Sequence, residues 1–269
     1  MGLGVARWSG ARRRVYYCVD DYAANPGVDR ETVRHLEHEL LGVADVTLVT
    51  GESLASRLRS PGRDLRVYPN VADTTLFTAD HTGVTHPVLD ALERIPRPRL
   101  GYIGNLATYK IDIDLISSIA TSRPDWSIVL VGPRDMGDPQ GHVADIALPP
   151  NVHLFDAVAH ELTPAIIDRF DVCLLPSARH PVMQSSFPLK FFEYLLRERP
   201  VVGKPLPALE PFRELYYQAT SREEFVAAIA DALVHKKNGR AIRRCTAEVV
   251  GWDERASRLF ELRGELLSG

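Results

Sequence analysis

SSFPLKFFEYLLRERPVV, residues 185–202, runs from a loop into a helix and out into a strand. The two serines can cap a helix start, and Pro188 suits its first turn, where a missing amide leaves no hydrogen bond unmade. Helical spacing puts Leu189, Phe192 and Leu196 on one face and Lys190, Glu193 and Arg197 on another. The first face can pack on a sheet. The second carries a cation and a carboxylate one turn apart, beside a helix N-terminus whose unbonded amides and dipole favour an anion. Such a loop and helix suit a sugar nucleotide, with the amides and Lys190 on the diphosphate and Glu193 on the ribose hydroxyls. Taken alone, the pattern more often marks an amphipathic core helix with a solvated charged face. The flanking sequence decides between the two.

On its N-terminal side, near-continuous apolar runs alternate with amphipathic helices. Residues 99–104 (RLGYIG), 127–132 (SIVLVG), 151–155 (NVHLF), 172–176 (VCLLP) and 200–203 read as strands, with helices over 112–122 and 162–170 between them. That alternation predicts a parallel, doubly wound sheet. Further back, 15–20 (VYYCVD), 46–50 and 65–70 are strands separated by helices at 29–41 and 52–59, a shorter α/β unit of parallel strands. The expected fold is therefore α/β with two Rossmann-like domains, the first incomplete. Residues 1–80 form the partial N-terminal domain, 81–98 a linker with one helical piece near 88–94, and 99–250 the second domain. Helices over 223–234, 240–249 and 254–267 close the chain.

A length of 269 residues suffices for one large core or two smaller ones. A net charge of −3 gives no support for nucleic acid as a partner. No apolar run approaches the ~18 residues of a membrane span. Three cysteines, Cys18, Cys173 and Cys245, are odd in number and far apart, and two lie in strand-like runs. This is buried-thiol usage, which predicts a cytoplasmic protein with neither a disulfide framework nor a zinc site.

In open α/β sheets, ligands sit beyond the carboxyl ends of the strands. Four loops qualify in the second domain. Gly104-Asn105 lets the backbone approach a phosphate, with Lys110 close behind to neutralise it. Gly132-Pro133 and Phe155-Asp156 could border a nucleobase, although a plain turn accounts for the first equally well and core packing is the more frequent fate of such a phenylalanine. The fourth loop leads into the helix after Ser185.

Taken in series, RLGYIGN, PDWSIVLVGP, PNVHLFD, FDVCLLP, SSFPLKFFEYL and RPVV resemble the donor-binding domain of retaining GT-B glycosyltransferases. The similarity is to family 4 ("group 1"), especially its cell-surface polysaccharide branch, and Trp252-Asp253 opening the last helix is also similar, which implies that 251–269 packs back on the first domain. The resemblance implies transfer of a hexosyl unit from a nucleoside diphosphate sugar to a glycan or lipid-linked acceptor, with retention. It implies no metal and no cofactor beyond the donor substrate. It places Glu193 on the ribose, and Phe187, Pro188 and Leu189 on the diphosphate and sugar. An acid at the end of the first strand faces the interdomain cleft in that branch, which makes Asp20 the acceptor-side residue; helix capping and turn formation also suit Asp20-Asp21. Lys190 is the expected electrostatic catalyst on the leaving diphosphate, with Lys110 beside it.

The sequence departs from the family pattern in several places. Ser185 stands where the first acid of E-x7-E contacts the donor sugar. Asn105 replaces the basic residue after the first glycine. Arg197-Glu198-Arg199 replaces a glycine-bearing turn. The first domain retains only its later half, so a longer gene or a partner chain is expected to supply the rest. A lipid-linked acceptor would bring the protein to the inner face of a membrane. The rival readings are a non-catalytic donor-domain partner of another transferase and, third, a sugar-nucleotide epimerase. Asp112-Ile113-Asp114 has a D-x-D spelling, but lies at a helix start where acids favour the dipole. His35 and His38, one turn apart, read as a solvated face.

Overall fold

VYYC, VTLV and DLRV form β1 (Val15–Cys18), β2 (Val46–Val49) and β3 (Asp64–Val67). They pair in parallel in the order β1-β2-β3, with Val15 opposite Val46 and Val46 opposite Asp64. The computed structural model describes residues 3–4, 10–134, 146–235 and 251–268; the expected helix over 240–249, Cys245 and the side chains of Trp252 and Asp253 lie outside the description. Helices α1 (Arg30–Val43) and α2 (Glu52–Leu58) connect the three strands. Asp29 starts α1 by accepting from the Glu31 and Thr32 amides. Alternation along the strands then sorts the side chains. Cys18 and Val49 pack against Leu41, Leu54 and Leu58 of the two helices. Val46 and Leu48 point the other way, onto Leu262 of the C-terminal helix, Trp252–Ser268.

That C-terminal helix is held to the first sheet by polar contacts as well. Tyr68 Oη donates to the Arg258 carbonyl at 3.1 Å, and Arg66 pairs with Glu265 at 2.6 Å. Arg255, almost fully buried, donates to the Pro69 carbonyl and to the Tyr17 hydroxyl. Burying a guanidinium is tolerable here because its donors find oxygen partners.

The second sheet is larger. β4 (Arg99–Ile103), β5 (Ser127–Val131), β6 (Val152–Phe155), β7 (Val172–Leu175), β8 (Val201–Gly203) and β9 (Tyr217–Gln218) run parallel in the order β6-β5-β4-β7-β8-β9. The chain leaves β4 in one direction and returns at β7 to build in the other. A crevice therefore opens at the carboxyl ends of β4 and β7, where the connecting segments diverge.

Residues expected to form part of the first domain and a linker instead belong to the second core. After Asp73 come α3 (Thr74–Thr78) and α4 (Pro87–Glu93). Phe77, Leu89, Leu92 and Ile95 are buried together with Phe170, Phe192 and Leu195. Arg197 fastens the segment further, donating to the Phe77 and Ala79 carbonyls at 2.9 and 3.0 Å. The polar, proline-bearing look of 73–98 hid three apolar anchors at helical spacing. α5 (Ile113–Ser122) and α9 (Arg222–His235) cover the opposite face of this sheet, where Ile116, Ile119, Phe225 and Ile229 meet Leu100, Ile128 and Leu174.

Candidate active site

Beyond β7 the chain makes α7 (Pro181–Ser185) and then α8 (Leu189–Leu196). The expected cap differs from the observed one. Ser185 and Ser186 end α7 and do not start α8. Pro188 is the residue before α8, with extended backbone and no side-chain cap. The Leu189 and Lys190 amides at this helix start therefore have no capping oxygen among the described residues. Ser185 is buried and its Oγ donates to the Val182 carbonyl at 3.2 Å. As placed, that hydroxyl serves α7.

The apolar face of α8 also differs from expectation. Phe191, Phe192, Tyr194, Leu195 and Leu196 are buried, whereas Leu189 is 40% exposed. Because helical geometry begins at Leu189, that side chain is turned out of the core. It lines a cavity of about 540 Å³ between the two sheets, with Tyr17, Val71 and Leu259. Phe187 stacks on Phe192 with ring centroids 5.5 Å apart, which fixes the approach to the helix.

Two hydrogen bonds set the position of α8 over the crevice. The Ile103 amide at the end of β4 donates to Tyr194 Oη at 2.9 Å. Lys190 Nζ donates to Tyr102 Oη at 2.8 Å and lies 4.3 Å from the centre of that ring. Tyr102 in turn donates to the Asn105 carbonyl at 3.2 Å. The ammonium so held lies directly over Gly104. A Cβ at Gly104 would come within 2.4 Å of Nζ, and one at Gly132 within 1.9 Å of the Gly104 carbonyl oxygen. Both glycines have positive φ, 145° and 150°, a region closed to other residues. The missing side chains are what let the Lys190 ammonium close on Gly104 and let Gly132 close on the Gly104 carbonyl, so a cation is held against this loop. Asn105 contributes backbone here: its carbonyl meets Tyr102, and its side-chain oxygen accepts from the Ala107 amide at 3.0 Å.

Glu193 sits one turn beyond Lys190. Burial pushes its carboxyl pKa up, while His160 and Lys190 pull it down. Among the described residues its carboxylate makes no hydrogen bond or ion pair. The side chain is half-buried and solvent still reaches its oxygens, so the carboxylate is open to donors from a ligand. Lys110 reaches the same region from the β4 side. Its loop is tied to the end of β7 through Ala178 N–H to the Lys110 carbonyl, 3.0 Å, and Asp112 N–H to the Pro176 carbonyl, 2.8 Å. Burial lowers the Lys110 pKa, Asp20 raises it and Lys190 lowers it again. Two lysines close enough to repel each other are a site prepared for negative charge.

Asp20 faces this cluster from the other sheet. Its carboxyl pKa is raised by burial and by Asp21, and lowered by a hydrogen bond from Ser186 Oγ, 3.2 Å, and by Lys110. The site thus gathers Asp20, Gly104, Lys110, Lys190 and Glu193. Gly132-Pro133 borders it, with the Pro133 carbonyl accepting the Leu106 amide at 3.0 Å. Phe155 stands apart, half-buried on a cavity of about 640 Å³ that it shares with Val84, His86 and Val158. Asp112 is a helix cap, accepting from the Leu115 amide at 2.9 Å and pairing with Lys204. Among the described residues, no three His, Cys, Asp or Glu side chains form a group that could hold a metal ion. Tyr102 and His160 are not singled out by sequence, and Ser186 reads only as a helix cap. Ser186 lies inside the opening stretch and Tyr102 inside RLGYIG, so the strand ends next to the glycines carried the only signal.

Two parallel-sheet halves facing one another across a cleft, with this site on the larger half, define the GT-B class of glycosyltransferase fold. The structures of Anabaena Alr3699/HepE in complex with UDP and with UDP-glucose superpose with TM-scores of 0.74 and 0.75. They are 17% and 16% identical, and the match covers 98% of this chain and 75% of those. Sucrose-phosphate synthase from Thermosynechococcus elongatus matches with a TM-score of 0.69 at 20% identity, over 99% of this chain and 66% of that one. The chain belongs to the family described as Glycosyl transferases group 1, whose sequence profile matches residues 97–235. It is 26% identical over 236 residues to TuaH of Bacillus subtilis (strain 168), provisionally named as a teichuronic acid biosynthesis glycosyltransferase. That match covers 83% of this chain and 58% of the relative, so the chain spans less than two thirds of that protein's length.

Proposed function

We propose that this chain transfers a hexosyl unit from a nucleoside diphosphate sugar to a glycan or lipid-linked acceptor, with retention at the anomeric carbon, in cell-surface polysaccharide synthesis. One observation carries the reading. Lys190 Nζ stands over the backbone of Gly104 at the uncapped start of α8, with the unpartnered carboxylate of Glu193 one turn further on. A diphosphate would lie against the lysine and the helix amides beside Gly104, and ribose hydroxyls would donate to Glu193. The base would lie toward Gly132-Pro133 and the cavity beside Phe155, and the sugar toward Phe187, Pro188 and Leu189. The UDP bound by the Anabaena structures and the naming of TuaH for teichuronic acid biosynthesis support a UDP-linked donor and a polysaccharide product.

Chemically, such a site acts by electrostatics. As the glycosidic bond to the diphosphate breaks, charge gathers on the leaving oxygen. Lys190, Lys110 and the Leu189 and Lys190 amides stabilise that charge more than they stabilise the ground state. No metal is required in this proposal. Asp20, across the cleft, would accept a hydrogen bond from the acceptor hydroxyl.

Calorimetric titration with UDP, then GDP and ADP, then their sugars tests the reading. Binding of one nucleoside diphosphate, lost in Glu193→Ala, is the expected result. An absence of binding by all of them would overturn it. A second reading, donor binding without transfer, is favoured by the engagement of Ser185 Oγ with Val182, which leaves the sugar without a hydroxyl or carboxylate at that position. Donor binding without hydrolysis or transfer of the sugar would select it.

A further inference from the structure

The first sheet carries a second charged cavity, on the face away from the C-terminal helix. It has a volume of about 520 Å³ and lies between α1 and α2. Arg30, Arg34, Arg57, Arg59 and Arg63 line it, with His38 at its side and Leu41 and Leu58 below. Glu37 is the one carboxylate in the lining. In a chain whose net charge is −3, this is a local reversal of sign. Guanidinium groups repel one another, so five around one cavity are costly without an anion between them.

Part of that charge is already compensated, in a way that fixes geometry. Glu37 is buried and accepts from Arg34 Nη1 at 3.1 Å, from Arg57 Nη2 at 3.0 Å and from Arg57 Nη1. Arg34 Nη2 also donates to Asp21 at 2.8 Å. These bonds hold two guanidinium planes in place. The other three arginines keep donors to spare. Arg63 gives one to the Leu58 carbonyl at 2.8 Å, Arg59 meets Glu52 only at 3.6 Å with both side chains mostly exposed, and Arg30 makes no hydrogen bond or ion pair among the described residues. The cavity therefore combines a preorganised pair of cations with three available ones.

We propose that this cavity binds a phosphate-bearing ligand, a phosphate monoester or diphosphate group, as an anion site separate from the one at Lys190. Planar guanidinium forks match phosphate oxygens two at a time, and several converging on one volume favour a group of more than one negative charge over a single carboxylate. The apolar floor of Leu41 and Leu58 would take the first carbons of whatever bears the phosphate. That group can belong to a soluble ester or to an anionic lipid headgroup, and the test separates these sources.

Pyrophosphate also suits the Lys190 site, so the titration is made in a Lys110→Ala/Lys190→Ala background. There, inorganic pyrophosphate is expected to bind still, to weaken as salt is raised, and to lose at least tenfold in affinity when Arg30→Glu/Arg59→Glu is added. Both added positions are exposed, and a melting curve confirms folding; Arg30→Gln/Arg59→Gln gives a smaller loss in the same direction if the charge reversal disturbs it. In parallel, the unaltered protein is sedimented with phosphatidylcholine vesicles with and without phosphatidylglycerol. Co-sedimentation with the anionic vesicles alone, abolished by Arg30→Glu/Arg59→Glu, identifies a headgroup. Pyrophosphate binding without co-sedimentation identifies a soluble ester. If the arginine substitutions change neither measurement, or the unaltered protein shows neither, the proposal fails.

Discussion

Ser186 Oγ donates a hydrogen bond to Asp20 Oδ1 at 3.2 Å, so the loop that opens α8 is tied to the end of β1 in the other sheet. Asp20 and the start of α8 are thereby in register across the cleft before any ligand binds. If Asp20 receives the acceptor hydroxyl, Asp20→Asn lowers turnover by about 10²-fold while donor affinity stays within a few-fold. Burial holds the Asp20 carboxyl pKa above the ordinary carboxylate value. Turnover in the unaltered protein should accordingly fall on the acid side of a pH profile at a higher pH than a free carboxylate would give. Asp20→Asn should remove that limb. Measuring kcat against pH for both, with titration of the donor, checks the assignment.

Lys190 is held by Tyr102 through both a hydrogen bond and the face of the ring. A cation fixed before the reaction need not reorganise when charge develops, which is the condition for acting on the transition state. Lys190→Ala is expected to reduce kcat by about 10²–10³-fold and donor affinity by much less. Equal losses in both would show that the lysine only anchors the ground state. Tyr102→Phe keeps the ring and removes the hydroxyl, so a smaller loss, again in kcat more than in affinity, is expected.

Glu193 carries a stability consequence of its own. Its carboxyl pKa is raised on folding by burial, so the native state binds more protons than the unfolded chain between the two pKa values. Its contribution is most favourable below the unfolded value and is lost as pH rises through the folded one. Glu193→Gln should therefore raise the melting temperature of the ligand-free protein near neutral pH, and the gain should shrink as the pH is lowered below the folded value. The same substitution should weaken binding of the nucleoside diphosphate. Thermal melts over a pH series, with and without nucleotide, read both effects.

The six-stranded sheet was legible because each of its longer strands is a near-continuous apolar run followed by a glycine, proline or acid. Lys190 and Glu193 were legible because helical spacing alone puts them on one side. The start of α8 was not. Pro188 stays extended, so the helix begins at Leu189, and that shift turns Leu189 outward and leaves the serines with α7. Nor could the sequence show that 74–95 packs into the donor core, because its buried residues are spaced among polar ones and their partners are distant. Ser186 and Asp20 are 166 positions apart, and the arginine cavity joins two helices whose basic residues read singly as solvated charge. β9 is two residues long, too short for any pattern to register.

The turn that ends α8 offers a test free of ligands. Glu198 N–H bonds to the Leu195 carbonyl at 2.9 Å and Arg199 N–H to the Tyr194 carbonyl at 3.0 Å, the paired bonds of a Schellman termination. The residue between helix and strand in that motif adopts a left-handed backbone, and here it is Glu198, with φ of 55°. A side chain with a Cβ pays about 1 kcal/mol or more for this conformation. Glycine does not, although it loses more freedom on folding. Glu198→Gly is therefore expected to raise the melting temperature by about 2–4 °C. Glu198→Ala removes the same carboxylate but keeps the Cβ, and should give no such gain. A rise in both variants would trace the effect to the charge, and a rise in neither would show that the turn is relaxed as it stands.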